Sequence, residues 1–188
     1  MNTGKEHCEP EIYSALSRLS YGLYIVSSAD GEKLNGQLVN TVFQTTACPP
    51  RVAISLNKAN LTHAYVEKSR LYSVSVLAQD TPMPFIGLFG FRSGRDVDKF
   101  KNRSFKTLGG CPAVTENALS AFTVAVDRAV DMGTHTLFMG EVTAAQTIKE
   151  GATLTYDYYK TVKHGRTQKN ATTFAPEPGD GAGARPDD

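Results

Sequence analysis

The sequence predicts a mainly β protein, a closed antiparallel barrel or sandwich decorated by a few helices. Medium-length runs of β-branched and aromatic residues recur along the 188 residues. Turn signals such as Asp30-Gly31 and Cys48-Pro49-Pro50 separate them. The helices of about 10 to 15 residues that a doubly wound parallel sheet needs between its strands are missing.

Taken in order, residues 10–20 place Ile12, Ala15, Leu16 and Leu19 at helical spacing and predict a short helix. It leads into a strand over residues 21–28. Residues 34–58, LNGQLVNTVFQTTACPPRVAISLNK, are the most informative stretch. Val39, Thr41, Val42, Phe43, Thr45 and Thr46 favour a pleated backbone, whereas Asn35, Gly36, Gln37, Asn40 and Gln44 supply amide donors, amide acceptors and bare backbone. A plain core strand does not need these amides, so the run reads as one that holds something. Cys48, Pro49 and Pro50 end it, because proline lacks an N–H and restricts the residue before it, and residues 52–56 return as a second short strand.

Beyond this hairpin-like unit, residues 61–70 predict a helix with Leu61, Ala64, Tyr65 and Lys68 to one side, and residues 71–77 a strand. Short helices are expected around residues 84–88 and 96–102. Residues 122–130 read as a strand with Phe122, Val124, Val126, Arg128 and Val130 on one face, and residues 134–144 as another. From residue 175 the text APEPGDGAGARPDD has only alanine as an apolar residue. Such a segment cannot bury enough surface to offset the entropy of ordering, so residues 175–188 are expected to be a disordered tail after one domain spanning residues 1–174.

Twenty basic and 19 acidic residues leave a formal net charge of +1, so the field that draws a protein to nucleic acid or anionic lipid is lacking. Any anion site must be local. No run of about 18 apolar residues suggests a membrane span, and residues 1–10 are too polar for a secretory signal, so the expected location is the cytoplasm. Cys8, Cys48 and Cys111 form no C-x-x-C pair, which argues against a disulfide framework, a zinc site or an iron–sulfur centre; no metal ligands are assigned.

Four constellations carry chemical meaning. Asn57-Lys58-Ala59-Asn60-Leu61-Thr62-His63 follows a strand and opens a helix, with Asn60 as N-cap; it is either a capped surface helix or an anion site in which free N–H groups, Lys58, Thr62 and His63 meet a phosphate. Residues 87–100 pack Arg92, Arg95 and Lys99 among glycines and phenylalanines, without a Walker loop or dinucleotide fingerprint, and Asp96 and Asp98 leave open whether this is an anion site or a solvated loop. His135, between Gly133 and Leu137, is either a satisfied core histidine or a donor facing a ligand at a barrel mouth. The tyrosines and cations of residues 156–169 suit a planar ligand or a partner surface better than nucleic acid. No nucleophile stands beside a base, so no catalytic side chain is assigned; the reaction is expected to belong to a cofactor.

On these residues the chain resembles the FMN-binding split-barrel flavin reductases, and most of all flavoredoxin and the flavin module of high-molecular-weight rubredoxins. Four blocks in the family's order carry the likeness: NGQLVNTVFQTTACPPRVAISLNKANLTH, FIGLFGFRSGRDVDKF, DMGTHTLFMGEV and YDYYKTVKHGRTQKNATTF. The resemblance implies a six-stranded antiparallel split barrel, a homodimer, and one FMN per subunit near the interface. It implies that Asn35, Asn40 and Thr41 line the flavin ring, that Asn57, Lys58, Thr62 and His63 hold the phosphate or ribityl chain, and that Arg95 and Lys99 approach flavin or phosphate. His135 would touch the ring region, and Phe174, Tyr159 and Lys169 would cover the flavin. The implied activity is hydride acceptance from NAD(P)H and electron transfer to free flavin, a rubredoxin-like carrier or a diflavin protein; the alternative is a non-enzymatic FMN electron carrier. The paired C-x-x-C motifs of a rubredoxin module are not in this sequence, so any iron centre is expected on another protein.

Overall fold

The computed structural model describes residues 10–174, so the tail expected from residue 175 lies outside the described residues. The elements run α1 (Pro10–Leu16), β1 (Tyr24–Asp30), β2 (Lys33–Val39), β3 (Val42–Ala47), β4 (Pro50–Asn57), α2 (Leu61–Ser69), β5 (Leu71–Leu77), α3 (Met83–Phe91), β6 (Phe105–Leu108), β7 (Cys111–Val114), β8 (Ala118–Asp131), β9 (His135–Thr147) and α4 (Tyr156–Thr161). Seven strands form one antiparallel sheet in the order β2-β1-β5-β8-β9-β4-β3, and β6 pairs with β7 apart from it.

The two edge strands of this sheet, β2 and β3, are consecutive in the chain and joined only by Asn40 and Thr41. Three Cα–Cα steps reach about 11 Å at most, so the sheet curls until its edges nearly meet. The barrel is therefore closed by the chain at this corner, where the ladder among the described residues is split. The six strands expected become seven in the sheet, because the run read as one polar strand breaks in two. Local bonds compete with the ladder at the break: Thr41 Oγ1 donates to Asn40 Oδ1 at 3.2 Å, and the Val42 N–H to the Asn40 carbonyl at 3.2 Å.

Alternation along the strands makes two cores. Val26, Val39, Ile54, Leu56, Tyr72, Val74, Val124 and Phe138 fill the barrel, with Val66 of α2 closing one end. Ile25, Leu38, Leu77, Phe85, Phe89, Phe100 and Tyr159 form a second layer on the outer face, under α3 and α4. β1 is buried on both faces, hence its continuous apolar start, YIV. Each fully buried large side chain contributes about 1.5–3 kcal/mol.

Other differences have local causes. Residues 96–102 make turns rather than a helix, since Asp98 Oδ1 accepts from the N–H groups of Phe100 and Lys101 and Asn102 is left-handed at φ +58. The β6–β7 hairpin, unforeseen, turns on Gly109 and Gly110 at φ +53 and +83; that Gly-Gly was its sequence signal. Bulges at Thr123/Val124 and Val126/Arg128 break the single apolar face expected of β8, so neighbours Thr123 and Val124 are both buried. The tyrosines of residues 156–159 start a helix, α4, whose first turn is capped by Thr155 accepting from the Tyr158 N–H at 3.1 Å.

Candidate functional site

The site gathers where the split corner, the start of α2 and the end of the chain meet. On β2, Asn35 points to the same face as Val39 and donates from Nδ2 to Thr62 Oγ1 at 2.9 Å. Its Oδ1 is buried and has no partner among the described residues. The loop after α3 lies directly on this amide: a Cβ added at Gly94 would stand 2.0 Å from Asn35 Oδ1. One residue on, the Gly36 carbonyl accepts from Lys99 Nζ at 2.9 Å, and the Phe89 carbonyl accepts from the same ammonium at 3.3 Å. Lys99 is only 3% exposed, and burial lowers its pKa to about 8.

The turn Asn57–Asn60 is fixed on three sides. Asn57 Oδ1 accepts from the Ala59 N–H at 2.9 Å, the Arg95 guanidinium donates to the Ala59 carbonyl at 3.2 Å, and Lys58 pairs with Asp131 at 2.6 Å. Asp131 also takes the Gly133 N–H at 2.8 Å, and the bond from Lys58 holds its carboxyl below the usual range. Asn60 occupies the N-cap position but its side chain makes no cap bond; its Oδ1 accepts from Asn170 Nδ2 at 3.2 Å. Lys58 is thus a half-exposed, ion-paired side chain, whereas Lys99 is the buried cation.

Two imidazoles stand beside this turn. His63 is buried, bonded through Nε2 to Thr136 Oγ1 at 2.8 Å and tilted against Phe138, ring centroids 5.2 Å apart. Burial lowers its pKa foremost, Glu67 opposes this, and Lys58 and His135 reinforce it. His135 is half-buried, sharing a face with Leu137 and Met139 rather than lying in the core. Its Nδ1 meets Thr134 Oγ1 at 2.9 Å, while its Nε2 is enclosed without a hydrogen bond. With the Thr134 hydroxyl donating to Nδ1, Nε2 carries the proton, and the Asn170 backbone is its only neighbouring acceptor among the interactions of the described residues. Burial lowers the His135 pKa, partly offset by the Asn170 backbone. Both rings are neutral donors or acceptors at neutral pH.

At the split, Asn40 Nδ2 donates to Thr173 Oγ1 at 2.6 Å and its Oδ1 accepts from Thr41. Phe174, half-buried, follows at the end of the described residues, and Lys169 is exposed nearby in sequence. Tyr159 does not join the group: it is 1% exposed, packed in the outer core, with its hydroxyl donating to the Arg166 carbonyl at 3.0 Å. Sequence reasoning left out Gly94, Thr136, Asn170 and Thr173, whose roles come from tertiary placement; for Asn170 and Thr173 the block ending QKNATTF was the one signal.

The arrangement offers amides, neutral imidazoles and one desolvated ammonium to a polar, partly anionic ligand. It offers no activated nucleophile. Cys111 is buried, donates to the Ser27 carbonyl at 3.5 Å, and has its thiol pushed up to about 12 by burial. Cys48 is exposed on the far end of β3 and β4.

The fold is the antiparallel split barrel of flavin-binding proteins: an FMN-binding protein from Thermus thermophilus superposes with a TM-score of 0.70 at 23% identity, covering 83% of this chain and 90% of that one. The chain belongs to the flavin reductase like domain family, whose model matches residues 16–164. It is 45% identical over 161 residues to a high molecular weight rubredoxin from Moorella thermoacetica, covering 85% of this chain and 70% of the relative. It is 44% identical over 161 residues to a ferric-chelate reductase (NAD(P)H) from Archaeoglobus fulgidus, covering 85% of this chain and 95% of the relative. The family read from four sequence blocks is the family found.

Proposed function

We propose that this chain binds FMN in the site above, takes hydride from NADH or NADPH and passes electrons to free flavin, a rubredoxin-like carrier or a diflavin protein. The observation that carries the reading is the pairing of unmet polar atoms with a family that handles flavin: Asn35 Oδ1 is enclosed without a hydrogen-bond partner among the described residues, and the desolvated Lys99 ammonium suits an anion. The near full-length likeness to a relative named as an NAD(P)H-dependent reductase supports the enzyme over a passive carrier.

When bound, FMN supplies the hydride and single-electron chemistry. The protein's work is placement and charge. Asn35, Asn40 and Thr41 orient the ring through amide and hydroxyl bonds, and His135 Nε2 donates to a ring oxygen or nitrogen. Thr62, His63, Asn57 and Lys58, at the positive end of α2, hold the phosphate or ribityl chain, with about 0.3–1 kcal/mol from the helix dipole. Arg95 and Lys99 add positive potential that favours the more negative, reduced form of the ligand. Lys169 and Phe174 cover it.

We also propose a homodimer. β3 is exposed on both of its faces, and Phe43, Val130 and Met132 are 49%, 42% and 61% exposed on or beside the sheet's outer side. Such apolar exposure suits a partner surface. Phe43→Asp is expected to halve the molecular mass measured by light scattering; an unchanged mass assigns the contact elsewhere.

Anaerobic mixing of the FMN-loaded protein with NADH, then NADPH, tests the activity by the flavin band near about 450 nm. Rapid bleaching is expected with at least one of them. No bleaching with either overturns the reductase reading and leaves an electron carrier.

A further inference from the structure

After α4 the chain runs back across the barrel, and its two halves are held very differently. Residues 165–167 are anchored on the outer core: the Gly165 N–H donates to the Tyr159 carbonyl at 2.8 Å, Tyr159 donates to the Arg166 carbonyl, and the hydroxyls of Tyr156 and Thr167 bond. Gly165 sits so close to the Tyr159 ring that a Cβ there would meet it at 2.0 Å. Residues 168–174 have no such base. Among the described residues their backbone-to-backbone bonds run only within the segment, from Ala171 to Gln168 and from Phe174 to Ala171, both 3.0 Å, and the Asn170 backbone also interacts with the His135 ring.

Among the described residues three side-chain bonds tie this second half down. Gln168 Nε2 donates to the Leu38 carbonyl at 3.5 Å, Asn170 Nδ2 to Asn60 Oδ1 at 3.2 Å, and Asn40 Nδ2 to Thr173 Oγ1 at 2.6 Å. Every receiving element belongs to the proposed flavin site: the end of β2, the turn before α2 and the split corner. The cleft this strap leaves against Leu38, Val39, Asn40, Gly90 and Phe91 is about 30 Å³. Ligand pockets measure roughly 300–1,000 Å³, so this cleft, lined also by Leu23, Tyr156 and Tyr159 of the outer core, holds nothing of flavin size.

Resting on the FMN reading above, we propose that Gln168, Asn170 and Thr173 are latch residues of a strap whose opening sets how fast flavin enters and leaves, so that the flavin is retained as a resident group. The strap pivots after Thr167, where the firm anchorage ends. Individually weak, neutral latches let it open without unfolding the barrel, and together they keep it shut most of the time.

A gate and a contact differ kinetically. Removing a latch speeds association and dissociation alike and leaves the equilibrium nearly unchanged, whereas removing a ligand contact raises dissociation alone. The test is stopped-flow FMN fluorescence on the full chain, comparing wild type with Gln168→Ala, Asn170→Ala and the double variant, none of which touches a partner of Asn40. Each single change is expected to raise both rate constants by about threefold to tenfold, the scale of one neutral hydrogen bond, and the double change by more. Hydrogen exchange of residues 168–174 should rise in the same order, with residues 156–165 unaltered. Unchanged rates, or a rise in dissociation alone, overturns the latch while leaving FMN binding intact. A wild-type chain that binds no FMN overturns both readings.

Discussion

Lys99→Met is expected to weaken FMN binding by at least tenfold while making the protein less sensitive to pH. The ammonium is 3% exposed and touches only the carbonyls of Gly36 and Phe89, with no carboxylate ion-paired to it among the described residues. A charge kept in that setting costs stability that a bound anion would offset. Losing one charge-assisted bond to a buried ligand is worth about 1.5–3 kcal/mol, which is tenfold to about a hundredfold in affinity. Methionine keeps the length and volume of the side chain, so packing against Phe89 and Phe100 is conserved.

The pH arm of the same prediction has a defined sign. Burial lowers the Lys99 pKa from 10.5 to about 8, so between those values the unfolded chain binds more protons than the folded one and stability rises with pH. Below about pH 8 both states are protonated and the cost of the buried charge is felt in full. From pH 8 to 10 the gain is on the order of 2 kcal/mol at 1.36 kcal/mol per pKa unit. It is opposed from about pH 9, where the Cys111 thiol, pushed up to about 12 by burial, ionises first in the unfolded chain, and from about pH 10 also by Tyr24, Tyr72 and Tyr159, whose pKa values burial raises. Urea unfolding at pH 7, 8, 9 and 10 should show wild-type stability rising relative to that of Lys99→Met by on the order of 2 kcal/mol across the range, the Cys111 contribution cancelling between the two; an unchanged difference contradicts the burial of the charge.

Gly140→Ala carries the largest expected loss of stability. Gly140 lies in β9 between Val52 of β4 and Val126 of β8. A Cβ there would stand 1.9 Å from the Ala125 carbonyl oxygen and 2.6 Å from its carbon. These are backbone atoms that no rotamer change can move, held where the β8 bulge brings two strands together. Relief requires prising β8 from β9 in the middle of the sheet, at about 3 kcal/mol or more, or roughly 10 °C in Tm for a chain of this size. Gly87 is the control. It lies inside α3 with nothing within 4 Å of the added methyl, so Gly87→Ala should stabilise by about 0.5–1 kcal/mol. Equal melting temperatures for the two variants would contradict this account of β8 and β9.

Much of this was legible from residues 34–58, because amides set into a β-branched run are costly unless they serve a purpose. Asn35 and Asn40 are both buried and both bonded across long sequence separations, to Thr62 and Thr173. The helix starting at Leu61 was equally plain, as was the strand of residues 71–77. What the sequence hid was set by tertiary contact. That Lys58 goes to Asp131 while Lys99 goes inside depends on how the loop after α3 folds over Gly36, and two lysines look alike in text. The bulges of β8 and the break at Asn40-Thr41 depend on competing local bonds that pattern reading cannot weigh. Tyr159 carried an aromatic signal that fits a flavin cover and a core equally; the outer core took it.

The central claim is that one FMN sits between the split corner, the turn before α2 and the buried Lys99. Equilibrium quenching of FMN fluorescence by flavin-stripped protein tests it most directly. The account predicts saturation at one FMN per chain, with riboflavin, which lacks the phosphate, bound more weakly, and with binding reduced at least tenfold in Lys99→Met. No quenching by the wild-type chain, or equal binding by Lys99→Met and wild type, would contradict it.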